Sequence, residues 1–155
     1  MGKLMNLGGL YYFYFQIVAG IKFTKMKYKK RKNRFLWHML SLPFIYCMII
    51  PLIVLDIFIE LFHRVCFAIY LIPYVKRSKY IRIDRHKLKY LNITEKLNCM
   101  FCGYANGLLQ YSVIIAGETE KYWCGIKHKN DSDFNQPSHH NNFLEFNDEE
   151  AYRKL

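Results

Sequence analysis

The chain has 155 residues, 52% of them hydrophobic and 17% aromatic, with a formal net charge of +11. This much apolar mass excludes an acidic disordered chain, and the length indicates one domain, with or without an anchor. The charge is uneven: residues 1–90 hold 17 basic and 3 acidic side chains, whereas residues 91–155 hold 6 basic and 9 acidic ones. The two parts therefore suggest two different environments.

The N-terminal segment, residues 1–34, joins an apolar stretch to a basic run. Residues 7–23 are apolar and rich in Tyr and Phe, and residues 25–34 carry seven positive charges. The apolar stretch suits a short span, an interfacial helix or an uncleaved signal anchor. A cleavable signal peptide is not expected, because no small-x-small site precedes the basic run.

A membrane-embedded block is predicted for residues 35–90. Residues 35–55 contain no Asp, Glu, Lys or Arg, and at about 1.5 Å per residue a helix of this length crosses a hydrocarbon core of roughly 30 Å. A second apolar run, residues 65–75, is too short to span alone. Pro43 and Pro51 punctuate the block, and Pro51 is a natural kink or hairpin apex.

Both ends of this block are basic, since residues 76–89 carry seven more positive charges against the single Asp84. Lys and Arg beside membrane segments are retained on the cytoplasmic side, where anionic head groups also attract them. A helical hairpin or dipping helices would place both flanks there. The alternatives are a single span and an in-plane amphipathic helix.

The basic runs have a second interpretation as nucleic-acid contacts, because Lys and Arg interleaved with Tyr can neutralise phosphates and stack on bases. Here, however, the runs adjoin apolar stretches of membrane length. Contact with lipid head groups explains them without a further partner, so nucleic acid is not an expected partner.

Ionisable residues interrupt the apolar block at Asp56, Glu60 and His63, followed by Arg64. Their spacing of i, i+4 and i+7 places the first three on one side of a helix. Glu-x2-His is half of the motif used by di-iron carboxylate bundles, but the chain has no second copy. The favoured interpretation is a polar face at the membrane surface with Arg64 neutralising a carboxylate, and metal binding or catalysis is the alternative.

The strongest motif of the sequence has the pattern C-x2-C-x21-C-x3-H. Its members are Cys99, Cys102, Cys124 and His128. Cys-x2-Cys places two sulfurs on one tight turn, and the third sulfur and the imidazole complete a tetrahedral Cys3His set that suits zinc. A helix over residues 106–123 would return the third cysteine to that turn. We predict a metal-stabilised helical module at residues 91–130, structural because no coordination position is left open.

Other chemistries fit the same residues. Iron, or an iron–sulfur centre with the same ligands, is the second choice of cofactor, since thiolates also bind iron. The pair Cys99 and Cys102 could instead be a redox dithiol, or the three thiols could bind nothing. His139 and His140, in the polar tail of residues 131–155, could replace His128 or add a ligand.

Four stretches of the sequence carry longer motifs. They are residues 73–88, residues 98–107 with Cys-x2-Cys-Gly-Tyr, residues 118–128 with Trp-Cys-x-Ile-Lys-His, and the tail at residues 137–152. Together they resemble a family of small bacterial membrane proteins with no established activity. The resemblance covers about residues 35–155 and implies a bacterial membrane protein in which the Cys and His residues form a unit. Gly125 stands where the family pattern has Pro.

The sequence thus predicts a mainly α-helical protein of the bacterial inner membrane with a cytoplasmic, zinc-stabilised module. Its expected role is that of a scaffold or interaction protein, because the ligand set is closed and no nucleophile–base pair stands out. The expected partners are the lipid bilayer and its anionic head groups, and a further protein is a candidate partner. The alternative is a membrane-bound metal-dependent or redox enzyme that acts on a lipophilic substrate.

Overall fold

The computed structural model describes residues 34–154. These residues are mainly helical, as predicted, and contain no strand. The α-helices of this part of the chain are α1 (Arg34–Cys47), α2 (Ile49–Tyr70), α3 (Ile93–Trp123) and α4 (Glu149–Tyr152). Two helical stretches, Leu36–Tyr70 and Ile93–Trp123, are long and apolar enough to cross a membrane. The predicted apolar stretch at residues 7–23 and nearly all of the basic run after it lie outside the described residues.

α1 continues into α2 with only a local interruption at Met48. The backbone there stays in the right-handed helical region, and the N–H of Leu52 donates to the Met48 carbonyl. Pro51 lies in the first turn of α2, where a missing N–H leaves no partner unsatisfied. The predicted hairpin is therefore not formed, and the chain from residue 34 to residue 70 is one long, locally interrupted helical stretch.

The helical stretch α1–α2 packs side by side with α3, and the two run in the same direction. Their polar and aromatic contacts, in chain order, are Tyr46 with Asn98, Asp56 with Tyr104, Glu60 with Tyr111, and Tyr70 with Tyr122. Residue numbers rise together on both sides, which identifies a parallel pair. An antiparallel pair would show the opposite trend.

The hydrophobic core lies between α2 and α3. Its buried members are Leu52, Phe67, Leu108, Tyr111 and Ile115. The first two belong to the predicted membrane block and the other three to the predicted metal module. These two segments therefore share one core, and the second is not packed around a metal of its own.

Residues 71–92 form a connector that returns along the parallel helices. Its backbone is irregular apart from two short 3-10 turns. Val75 lies beside His63, and Arg77, farther along, lies beside Asp56. The connector therefore runs antiparallel to both helices, from the end of α2 to the beginning of α3.

Two glycines of α3 allow the connector to approach closely. A Cβ atom at Gly107 would lie 2.7 Å from the carbonyl oxygen of Tyr80 and 2.8 Å from the Cα of Ile81. At Gly103 it would lie 2.8 Å from the carbonyl oxygen of Arg82. Because these neighbours are backbone atoms, a side chain at either position would displace the connector.

We expect Gly107→Ala to lower the free energy of unfolding by about 1–3 kcal/mol through this overpacking, although alanine favours helix by about 1 kcal/mol over glycine. Thermal unfolding followed by circular dichroism in detergent measures the change. Ala116→Gly, on the exposed side of α3, is the control and should cost only the helix-propensity difference of about 1 kcal/mol. A Gly107→Ala protein as stable as the wild type would contradict the close approach.

Candidate functional site

The structure does not bring the four predicted zinc ligands together. Cys99 and Cys102 lie within α3, and Cys124 directly follows the last residue of the same helix. The helix is continuous, so the separation of 22 residues from Cys102 to Cys124 corresponds to about 33 Å. In this arrangement one ion cannot bind both of them together with His128. The prediction of a tight turn at Cys-x2-Cys is also wrong, because these residues form regular helix.

A different group of metal-ligand side chains converges at the C-terminal end of α3. It consists of Glu120, His128 and His140, and one potential ligand atom from each lies within 4.8 Å of the others. His128 thus belongs to both the predicted set and the observed one. His140, considered from the sequence as a replacement ligand, joins it, and Glu120 is new.

The tail brings the histidines to α3 by folding back on itself. Gly125 ends the helix with a φ of +62°, a left-handed conformation that glycine adopts without strain. Ile126 then pairs with Leu144 in an isolated parallel bridge, in which the Leu144 N–H donates to the Gly125 carbonyl at 2.8 Å. The 3-10 helix Ser138–Asn142 is thereby held against the last turns of α3.

Both oxygens of the Glu120 carboxylate contact an imidazole. His139 Nε2 lies 2.8 Å from Oε2, and His140 Nε2 lies 3.0 Å from Oε1. The His140 ring is 1% exposed and stacks on Phe143 at a centroid distance of 4.8 Å. The His139 ring packs over Gly117, where a Cβ atom would lie 3.0 Å from it. The carboxylate is therefore held at a fixed position at the end of α3.

The donor set of this cluster fits a divalent transition metal. Carboxylate oxygen and imidazole nitrogen bind zinc at about 2.0–2.2 Å, so the ligand atoms would have to move closer together when an ion binds. His128 is the exposed member of the group. His140 Nδ1 is buried and has no hydrogen-bond partner among the described residues. Because the set contains no thiolate, its nitrogen and oxygen donors also suit iron, cobalt and manganese. Geometry and metal availability would select among these ions.

The carboxylates within the apolar block are neutralised by the connector. Arg77 Nη2 lies 2.7 Å from Asp56 Oδ2, and its Nη1 lies 3.2 Å from Glu60 Oε1. These hydrogen bonds, above all the one to Asp56, raise the pKa of the guanidinium above its ordinary value. Tyr104 donates to Asp56 at 2.8 Å. Arg64 was predicted to neutralise a carboxylate, and it does contact Glu60 at 3.3 Å. Because Arg64 is 71% exposed, Arg77 is nevertheless the principal counter-charge.

His63 links this network to the connector. The N–H of Val75 donates to Nε2 at 3.1 Å, so the ring proton is on Nδ1 and donates to the Tyr111 oxygen at 2.8 Å. The Tyr111 O–H then donates to Glu60 at 3.0 Å. His63 is fully buried and stacks on Tyr74. Because both ring nitrogens are occupied, the geometry favours a polar structural role for this group over metal binding.

Sequence reasoning missed Glu120 and Arg77. Glu120 lies one helical turn before Cys124, but the histidines that contact it are 19 and 20 residues away. Arg77 is one of seven basic residues in its run, and nothing in the sequence distinguishes it from the other six. Its contacts with Asp56 and Glu60 appear only in the structure. No family model, no curated protein and no solved structure matches this chain. The family resemblance therefore stays a prediction.

Proposed function

We propose that this chain is a small bacterial membrane protein that binds a divalent metal, zinc first, through Glu120, His128 and His140, and serves as a scaffold or interaction protein. The observation that carries the proposal is the convergence of the three ligand atoms within 4.8 Å at the end of an apolar helix of membrane length. The basic flanks and the family resemblance support the inner membrane, with the metal site on the cytoplasmic side.

A bound ion would join three separate segments of the chain. Glu120 belongs to α3, His128 to the loop after it, and His140 to the tail. Metals that cross-link segments in this way add their binding energy to folding. His139, which contacts the second oxygen of Glu120, would orient the carboxylate toward the ion. These features support a structural role for the metal.

A metal-dependent enzyme is the second candidate, and one observation favours it. Three protein ligands leave a fourth position available to water or substrate, as in catalytic zinc sites. The Cys3His set predicted from the sequence would leave no position open, because all four ligands come from the protein. The rival use of Asp56, Glu60 and His63 has less support, because these side chains are engaged with protein partners.

Elemental analysis of the full-length protein, purified in detergent, tests the metal proposal. We expect about one zinc per chain, removable by a chelator. Removal should speed proteolysis of the tail, residues 125–154, while α2 and α3 stay protected. Protein without any bound metal after incubation with zinc would overturn the proposal, and visible absorbance with bound iron would replace zinc by the second choice. Flotation with vesicles containing anionic lipid tests the membrane association separately.

A further inference from the structure

The parallel packing of α1–α2 with α3 conflicts with both of them crossing a bilayer. Two parallel helices can span together only if the segment that joins them crosses back. That segment is the connector, whose backbone is irregular and whose seven basic side chains, Arg77 apart, are all exposed. Irregular, lipid-exposed backbone does not occur in the hydrocarbon region, where its polar groups would lack partners. The connector therefore has to lie outside the hydrocarbon.

A single crossing by α1–α2 meets the same difficulty. The beginning of α3 carries a polar capping box at Asn92 and Glu95, and the helix contacts Tyr46 through Asn98. In the described part of the chain only residues 34–45 precede this contact, a length of about 18 Å, whereas a crossing needs roughly 30 Å. The preceding residues, 25–34, carry seven positive charges. The charge-free run predicted to span therefore has polar protein beside much of its length.

The outer face of α2 is nevertheless built for lipid. Its side away from the core is exposed and mainly apolar, with Ile57 and the exposed Arg64 at the edge next to the polar network. It includes Ile50, Val54, Ile57, Phe58, Leu61 and Val65. This stripe runs along the helix axis, so the whole stripe enters a bilayer at one depth only when the axis lies parallel to the membrane surface.

We infer that the protein is monotopic: α1–α2 and α3 lie in the plane of an anionic bilayer, with the outer stripe of α2 toward the acyl chains. The basic side chains of the connector then remain at the level of the head groups, whose negative charge they complement. An apolar helix face bound in this way sits about 5–10 Å below the head-group boundary. The inference rests on the membrane association under the proposed function and adds its geometry.

Depth measurements along α2 test this arrangement. Single cysteines replace Ile50, Phe58 and Val65 in a full-length chain whose five natural cysteines are changed to serine, and each carries an environment-sensitive fluorophore. The proteins are bound to vesicles containing anionic lipid, and quenching by spin labels at two acyl-chain depths is compared. We expect the three positions to lie at one shallow depth. A helix that crosses would separate the first and last by about 22 Å.

The controls separate the two levels of the proposal. A cysteine at Ser78, exposed in the connector, should be quenched by aqueous iodide and not by the lipid labels. Failure of the protein to float with vesicles would refute membrane association itself. Flotation with a depth gradient along α2 would refute only the in-plane arrangement. Shielding of the three positions from both lipid and aqueous quenchers would show that a second copy, or residues 1–33, covers the stripe, and this too would overturn the inference.

Discussion

Glu120→Gln should lower the affinity of the purified protein for zinc at least about 100-fold, because the loss of a ligand costs more affinity than the loss of a group that only orients a ligand. Glutamine keeps the size of the side chain and removes the negative charge that the ion would meet. His128→Ala should have a comparable effect. Because His128 is exposed, its replacement removes only its ring contacts with Phe134 and His140 and leaves the core between α2 and α3 intact. Competition titration with a chromophoric zinc chelator measures both affinities.

The matched control for this prediction is Cys99→Ser together with Cys102→Ser. His128 belongs to both the predicted and the observed ligand set, so the comparison of Glu120 with the cysteines distinguishes them. If the cluster at the end of α3 is the site, the cysteine variant binds zinc as the wild type does. Loss of zinc in the cysteine variant with full affinity in Glu120→Gln would restore the Cys3His site and require a different arrangement of α3.

Arg77→Met should lower the free energy of unfolding by about 2–3 kcal/mol. This is less than the roughly 3–5 kcal/mol cost of breaking a fully buried ion pair, because Arg77 is 35% exposed. The substitution keeps an apolar side chain of similar length and leaves Asp56 and Glu60 without their main counter-charge. It also releases the connector from α2. The melting temperature in detergent should fall by about 10 °C.

Arg64→Met is the matched control, because Arg64 also contacts Glu60 but is largely exposed. Its removal should change the free energy of unfolding by at most about 0.5 kcal/mol. Adding Asp56→Asn and Glu60→Gln to Arg77→Met should recover part of the lost stability, since no unpaired charge then remains. Equal effects of the two arginine variants would show that the network is not organised around Arg77.

Local patterns in the sequence predicted the helices and the common face of Asp56, Glu60 and His63. The i, i+4, i+7 spacing has one geometric meaning once the segment is helical. Cys-x2-Cys was ambiguous, because a spacing of three residues suits a metal-binding turn and one side of a helix equally well. Gly103, which directly follows the pair, is also a residue type that tight turns favour. In the structure it is instead a point of close contact with the connector, which no local pattern shows.

Local sequence patterns could not predict the metal cluster, for a related reason. Glu120 and His140 meet only because the tail turns at Gly125 and pairs Ile126 with Leu144. The tail as a polar segment was predictable, but its return to α3 depends on long-range packing. The parallel course of α2 and α3 was likewise hidden, since a connector of 22 residues fits either orientation.

The parallel course of α2 and α3 also sets the order of events during synthesis. Each residue on the inner face of α2 meets its α3 partner about 50 positions later, as the separations of 48 for Asp56–Tyr104 and 51 for Glu60–Tyr111 record. At about 5–20 residues per second, α2 waits roughly 3–10 s for that partner. Arg77 emerges only 21 residues after Asp56. The connector can therefore neutralise the carboxylates of the nascent chain before α3 exists to cover them.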